Sequence, residues 1–264
     1  MITADQVRMI ARSERLSAGV VEKDYALTWL LKGIYRRGSE LRNNLVLKGG
    51  TAIRKAYHPK TWRFSEDLDF TVIGVRQPAE IRQSIQSAFE RLLTASGIRY
   101  SIEAFHPTPG SIIANVQYLG PLNFTNRIKH DISLKEKMAL KPEWRSIKKI
   151  DFPDIAEFKI LAYSLTEILV EKIRSIMQRG YSRDYYDVWR LFQENKFKES
   201  DIQRYLVQKC ELNGISYKPR MLFDRERLRQ ARSFWVKGLS YLTKELPEFE
   251  SVVSDLSSNL SFLN

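Results

Sequence analysis

Asp67 and Asp69 stand one residue apart in the segment Arg63-Phe64-Ser65-Glu66-Asp67-Leu68-Asp69-Phe70. In a strand, alternate side chains share a face, so Asp67, Asp69 and Thr71 point one way and Leu68, Phe70 and Val72 the other. The apolar set is a core face. The opposite face carries two carboxylates about 7 Å apart along the strand. Like charges that close repel unless a cation compensates them, so the pair could hold one divalent cation or flank two. The bland alternative is a solvated sheet face. A second extended stretch, Ile128 to Leu134, repeats the pattern: Asp131 points with Lys129 and Ser133, away from Ile128, Ile132 and Leu134. If the two strands are neighbours, three carboxylates converge on one hard oxygen site. Such a site suits Mg²⁺, which takes a few carboxylates together with phosphates and water.

Upstream, Leu45-Val46-Leu47 reads as a short strand that Gly49-Gly50 breaks. Thr51 is expected to cap a short helix to Tyr57, which Pro59 stops. Glycines at a strand-to-helix junction let a backbone approach a phosphate, and the helix N-terminus offers free N–H groups. A glycine pair is by itself equally a plain turn, and the GK[ST] spacing of a P-loop is absent.

Lys172 is the anomaly of the second half. In a helix over Phe158–Met177, Leu161, Leu165, Ile168, Leu169 and Ile176 form an apolar arc with Lys172 in its middle. A lysine there calls for an anion, such as a triphosphate, or snorkels to the edge of the packed face. Just beyond, Ser182 reads as an N-cap, and Asp184 and Asp187 suit the first turn of the following helix. Capping accounts for one acid, so Asp184 is assigned to the site, orienting Lys172, with Asp187 beside it. His58, His106 and His130 are scattered, and Cys210 is the single cysteine. No cysteine–histidine metal spacing or serine–histidine pairing is present. His130, on the apolar side of its strand, is expected to be a buried structural histidine.

The elements that must position these residues form two groups. Helices are expected over Ala4–Ser13, Val20–Arg37 and Ala79–Ser96, the last stopped by Gly97. Strands are expected over Phe64–Ile73, Arg99–Phe105, Ser111–Leu119, Arg127–Leu134 and Ile147–Phe152. From Ile155 the pattern is helical: Ile155–Gln178, Ser182–Asn195, Glu199–Asn213, Arg225–Glu245 and a short tail helix. The expected fold is therefore α+β, a mixed sheet with flanking helices followed by an all-helical C-terminal domain, with domains 1–153 and 154–264.

A chain of 264 residues with 43% hydrophobic and 28% charged residues has the composition of a globular protein. One cysteine excludes an internal disulfide and fits a reducing compartment. No apolar run reaches the roughly 20 residues of a membrane span, and the first residues lack the apolar stretch of a signal peptide. A cytoplasmic protein with no membrane partner is expected. The net charge of +12 is unevenly placed: residues 1–150 hold 25 Lys/Arg against 14 Asp/Glu, and the remainder 18 against 17. A basic field favours a polyanion, nucleic acid first, although solubility charge would look the same.

Taken together, Glu22-Lys23-Asp24-Tyr25, Lys48-Gly49-Gly50-Thr51-Ala52, the segment Arg63–Phe70, Glu171-Lys172-Ile173-Arg174 and Arg183-Asp184-Tyr185-Tyr186-Asp187 resemble the AbiEii-type nucleotidyltransferase toxins. The resemblance spans about residues 20 to 195. It implies a nucleotidyltransferase core followed by a helical domain that closes the nucleotide cleft. It implies nucleotide binding by Lys48, Gly49, Gly50, Thr51, Arg63, Ser65, Lys172 and Asp187, with catalysis by Asp67, Asp69, Lys172 and Asp184. Mg²⁺ would be bound by Asp67 and Asp69; Asp131 is a third candidate ligand, in a position less uniform in this branch. The wider superfamily has a serine after the glycine pair, where this chain and the toxin branch have Thr51. The implied reaction moves a nucleoside monophosphate from a nucleoside triphosphate to an RNA 3′ end, tRNA foremost, in a toxin with a cognate antitoxin. Nucleotidylation of a protein hydroxyl and a non-catalytic nucleotide-binding module are the alternatives.

Overall fold

The computed structural model describes residues 1–74, 76–147 and 152–263. They fall into two compact units: Met1–Glu136 with Pro142–Ala162, and Lys137–Lys141 with Tyr163–Asn264.

The first unit is built on a seven-stranded mixed sheet of order β3-β4-β5-β2-β1-β7-β6. Its strands are β1 (Leu45–Lys48), β2 (Asp67–Val72), β3 (Arg99–Pro107), β4 (Ser111–Leu119), β5 (Thr125–Ser133), β6 (Glu143–Ile147) and β7 (Phe158–Ala162). β1 runs antiparallel to β2 and parallel to β7, while β2 runs parallel to β5. The hydrophobic pattern sets the register, because a slip of one residue would turn every core side chain to the other face. Leu45, Val46, Leu47, Leu68, Phe70, Ile128 and Ile132 are all buried.

Helices α1 (Ala4–Glu14), α2 (Ala18–Ile34) and α4 (Pro78–Ser96) flank the sheet. Thr3 and Gln6 form a reciprocal capping box that starts α1. α4 buries Ile81, Ile85, Ala88 and Leu92 along one stripe and ends at Gly97, whose φ of +72° is the left-handed cap glycine adopts readily. α2 is buried along most of its length, and its Glu22-Lys23-Asp24-Tyr25 run ties together four separate segments. Glu22 accepts the Leu122 backbone N–H at 2.6 Å. Lys23 faces Glu66 at 3.4 Å, and the Tyr25 hydroxyl donates to Asp154 at 2.5 Å. Asp24, 1% exposed, meets Lys55 Nζ at 2.8 Å and Arg54 Nε at 3.5 Å. A buried carboxylate is tolerable only with such cationic partners, so Asp24 anchors the turn that follows the glycine pair.

The second unit is helical: α5 (Leu165–Gln178), α6 (Ser182–Glu194), α7 (Glu199–Leu212), α8 (Arg225–Ser233), α9 (Trp235–Leu239) and α10 (Phe249–Asn259). Lys137–Lys141 joins it through Glu167, which accepts the backbone N–H groups of Ala139 and Leu140 and pairs with the fully buried Lys209 at 2.8 Å. No helix among the described residues is long and apolar enough to cross a membrane.

Several expectations are corrected. The helix expected over Ile155–Gln178 is a strand and a helix: β7 pairs with β1 and β6, and Ser164 caps α5 by accepting the Glu167 N–H. A short apolar run fits either state locally, and pairing with the sheet decided it. The long helix expected over Arg225–Glu245 breaks at Phe234, where Trp235 turns inward against Tyr186 and Phe249. Tyr181, rather than Ser182, is the N-cap residue of α6. The expected strand Ile147–Phe152 falls largely outside the described residues; the strand present is β6, which ends at Ile147.

Candidate active site

The glycine pair lies where β1 passes into a single helical turn, α3 (Gly49–Ala52), that continues as a π-helical turn to Tyr57. Gly49 has a φ of +70°, and a Cβ there would sit 2.5 Å from Asp69 Oδ2. The residue type is therefore required twice, by the backbone and by the carboxylate packed against it. Gly50 is similarly confined: a Cβ would approach Arg63 Nη2 at 2.9 Å and Ser65 Oγ at 3.3 Å. Arg63 is buried and donates to the Phe64 carbonyl at 3.1 Å. Thr51 does not cap the turn as expected; it lies inside it, and its hydroxyl donates to the Asp67 carbonyl at 2.6 Å. That bond locks the loop to the first residue of the acidic strand.

β2 presents Asp67 and Asp69 on the face opposite Leu68 and Phe70, both half-buried while the apolar pair is fully buried. Pairing with β5 supplies the adjacency that spacing alone could not: Asp67 lies opposite Lys129 and Asp69 opposite Asp131. On the other side Asp69 lies opposite Lys48. Directly paired residues share a face, so Lys48, Asp69 and Asp131 form one row across three strands. Asp131 is half-buried like them, and its carboxylate lies 3.8 Å from Lys129 Nζ. Among the described residues no three His, Cys, Asp or Glu side chains are gathered closely enough to hold a metal ion. The donor set that fits a divalent cation is the Asp67–Asp69 pair beside the glycine turn, the two-carboxylate arrangement that Mg²⁺ accepts when phosphates complete its shell.

Spacing did not reveal Glu136. Its carboxylate pairs with Lys48, and both side chains are 11% exposed. Its backbone N–H is held at 3.2 Å by the hydroxyl of Ser133, two residues beyond Asp131 on β5. Nothing in the local pattern distinguishes Glu136 from any post-strand acid.

In the helical unit Lys172 meets its anions within the protein: Asp184 Oδ1 at 2.8 Å and Asp187 Oδ2 at 3.0 Å. Arg179 Nε adds a second cation at 3.1 Å from Asp184 Oδ2. Burial pushes the Asp184 carboxyl up, but Lys172 and Arg179 outweigh it and hold it below the usual carboxylate range. Asp184 and Asp187 are one turn apart on α6, which packs against α5, and this places both carboxylates over Lys172. Thus the expected contact between Asp184 and Lys172 is present, with Asp187 sharing it.

His130 is fully buried, stacks on Phe70 at 6.4 Å and contacts the Ile128 carbonyl through Nδ1. Burial lowers its pKa to about 4, so it is a neutral core residue at physiological pH.

No curated protein sequence matches the chain. Among solved structures, MenT4, a nucleotidyltransferase toxin of Mycobacterium tuberculosis H37Rv, shares the fold with a TM-score of 0.74 and 18% identity, over 100% of this chain and 90% of that one. The family model described as nucleotidyl transferase AbiEii toxin, type IV toxin–antitoxin system, matches residues 31–255. That span takes in the glycine turn, the acidic strand and the Lys172 cluster, and the chain belongs to this family of nucleotidyltransferase toxins.

Proposed function

We propose that this nucleotidyltransferase moves a nucleoside monophosphate from a nucleoside triphosphate to the 3′ end of an RNA, tRNA foremost, and that a cognate antitoxin restrains it. The observation that carries the reading is the contact between Gly49 and Asp69, which puts the glycine turn and the carboxylate pair in one place. The backbone at Gly49, Gly50 and Thr51, with Lys48, Arg63 and Ser65 around it, would receive the triphosphate. Asp67 and Asp69 would hold Mg²⁺. When bound there, the cation supplies charge neutralisation at the α-phosphate and the departing pyrophosphate. Lys172, held by Asp184 and Asp187, would be the helical unit's residue for the nucleotide. The attacking RNA 3′-hydroxyl forms a bond to the α-phosphorus as the bond to pyrophosphate breaks, so positioning and electrostatics supply most of the rate. The setting is the cytoplasm, where both substrates are present.

The test is incubation with each labelled nucleoside triphosphate, Mg²⁺, total RNA and total protein. Label in RNA that disappears with Asp67→Ala supports the reading. Label in protein alone would replace RNA with a protein acceptor, and bound nucleotide without transfer would leave a regulatory module.

A further inference from the structure

The near balance of charge in the second half of the sequence conceals a local excess. Lys218–Lys244 carries eight Lys/Arg and two Asp/Glu. This segment contains α8 and α9, and it exposes rings that a globular protein would otherwise bury. Phe234 is 53% exposed and Tyr241 39%. Tyr181, at the start of α6, is 51% exposed. Large exposed apolar groups gathered on one surface mark an interaction site.

The segments that carry these rings are bonded to one another. The Ser182 hydroxyl donates to the Phe234 carbonyl at 3.4 Å, and Arg183 donates to the Gly238 carbonyl at 3.2 Å and the Tyr241 hydroxyl at 2.5 Å. The first turn of α6 is therefore bonded to α9 and the residues on either side of it. Next to Phe234, Trp235 is buried, meets Phe249 edge to face with ring centroids 5.1 Å apart and donates to the Pro247 carbonyl. The exposure of Phe234 is thus a property of a packed element. Arg179 connects the surface to the Lys172 cluster: its guanidinium lies 4.7 Å from the Tyr181 ring centroid, and its Nε bonds Asp184.

We infer that Tyr181, Phe234 and Tyr241, with Arg179 and Arg183 between them, form a stacking platform for the unpaired 3′ segment of the RNA acceptor, while the Lys218–Lys244 excess engages its phosphates. The inference rests on RNA being the acceptor. Single-stranded RNA is recognised by aromatic and guanidinium planes that stack on bases, combined with a basic surface along the backbone. A duplex buries its base faces and has little use for exposed rings. Arg229 pairs with Glu226 and Arg232 with Glu250, and the basic side chains that remain in the segment favour a polyanion over a neutral protein surface.

The test uses the full-length chain without nucleotide and a 5′-fluorescein single-stranded RNA of twelve nucleotides, followed by anisotropy over a salt series. Phe234→Ala and Tyr181→Ala should each weaken binding roughly tenfold, with an unchanged salt slope and melting temperature, because stacking is lost and phosphate contacts are kept. Phe234→Tyr should bind like the wild type. Lys237→Gln should reduce the salt slope by about one, and a blunt RNA duplex of equal length should bind independently of Phe234. Unchanged RNA affinity in both alanine variants, with label still transferred to RNA, overturns the platform and leaves the proposed reaction standing. Alanine variants that keep RNA affinity but lose the cognate antitoxin would make the surface a protein interface and likewise overturn it. Label transferred to protein alone would remove the acceptor reading on which the platform rests.

Discussion

Asp69 and Asp131 are register partners on the parallel strands β2 and β5. Their side chains share one face of the sheet, yet their surroundings differ: Asp69 packs against Gly49, while Asp131 faces the Lys129 ammonium at 3.8 Å. The two carboxylates should therefore contribute unequally. Asp67→Ala and Asp69→Asn are each expected to lower nucleotidyl transfer by about a thousandfold, the scale of losing a metal-held charge in phosphoryl chemistry. Asp131→Asn is expected to cost about tenfold or less. Rates across a Mg²⁺ titration, with melting temperature as a fold control, separate the two cases; equal losses would show Asp131 to be a full ligand.

Gly49 allows a test of backbone against contact. Gly49→Ala meets both a φ of +70° and the Asp69 carboxylate at 2.5 Å, whereas Gly38→Ala meets a φ of +79° with nothing within 4 Å. The left-handed backbone costs each variant about 1 kcal/mol. The collision should add about 1–3 kcal/mol to Gly49→Ala alone and displace Asp69, abolishing transfer. Urea midpoints of the two variants measure the difference, and equal midpoints would mean that the Asp69 carboxylate moves aside freely.

Lys172 separates stability from chemistry. Lys172→Met leaves the Asp184 and Asp187 side chains, 2% and 0% exposed, without their shared cation. The expected cost is about 3–5 kcal/mol, as for breaking a buried ion pair. The triple variant Lys172→Met, Asp184→Asn, Asp187→Asn should recover much of that stability and none of the activity. Chemical denaturation beside a transfer assay reads both; a triple variant with restored transfer would remove Lys172 from the chemistry.

Two acid transitions should be distinguishable. His130, with its pKa lowered to about 4, stays neutral in the folded chain while the unfolded chain protonates near 6.5. Stability should thus be full above pH 6.5 and decline as pH falls toward 4, by on the order of 3 kcal/mol. Asp184, held below the usual carboxylate range, adds stability that is present above its unfolded pKa and is lost only as pH falls through its lower folded value. His130→Leu should remove the upper transition and leave the lower, as thermal melts from pH 7 to 3 would show. An unchanged melting profile would place the proton elsewhere.

Much of the site was readable from residue order because it depends on short-range rules. Strand alternation put Asp67 and Asp69 opposite Leu68 and Phe70, and it held because the apolar face is buried. The anomaly of Lys172 was visible because charge within an apolar helical arc demands a partner. Other readings failed where local patterns were degenerate. Phe158–Ala162 could have continued a helix, and only its pairing with β6 and β1 made it a strand. Thr51 and Ser182 are common capping types, but their hydroxyls bond to Asp67 and Phe234.

Residue order by itself determined the chemistry on offer: two carboxylates on one strand face, a glycine turn before them, and a lysine that required acids. The tertiary structure alone decided who meets whom. It set Asp131 opposite Asp69, placed the Asp69 carboxylate where a Gly49 side chain would have been, gave Lys48 to Glu136 and joined Ser182 to Phe234. Alternation and helical periodicity act over a few residues and are written in spacing, whereas pairing register and packing minimise the energy of the whole unit and depend on segments far apart in the chain.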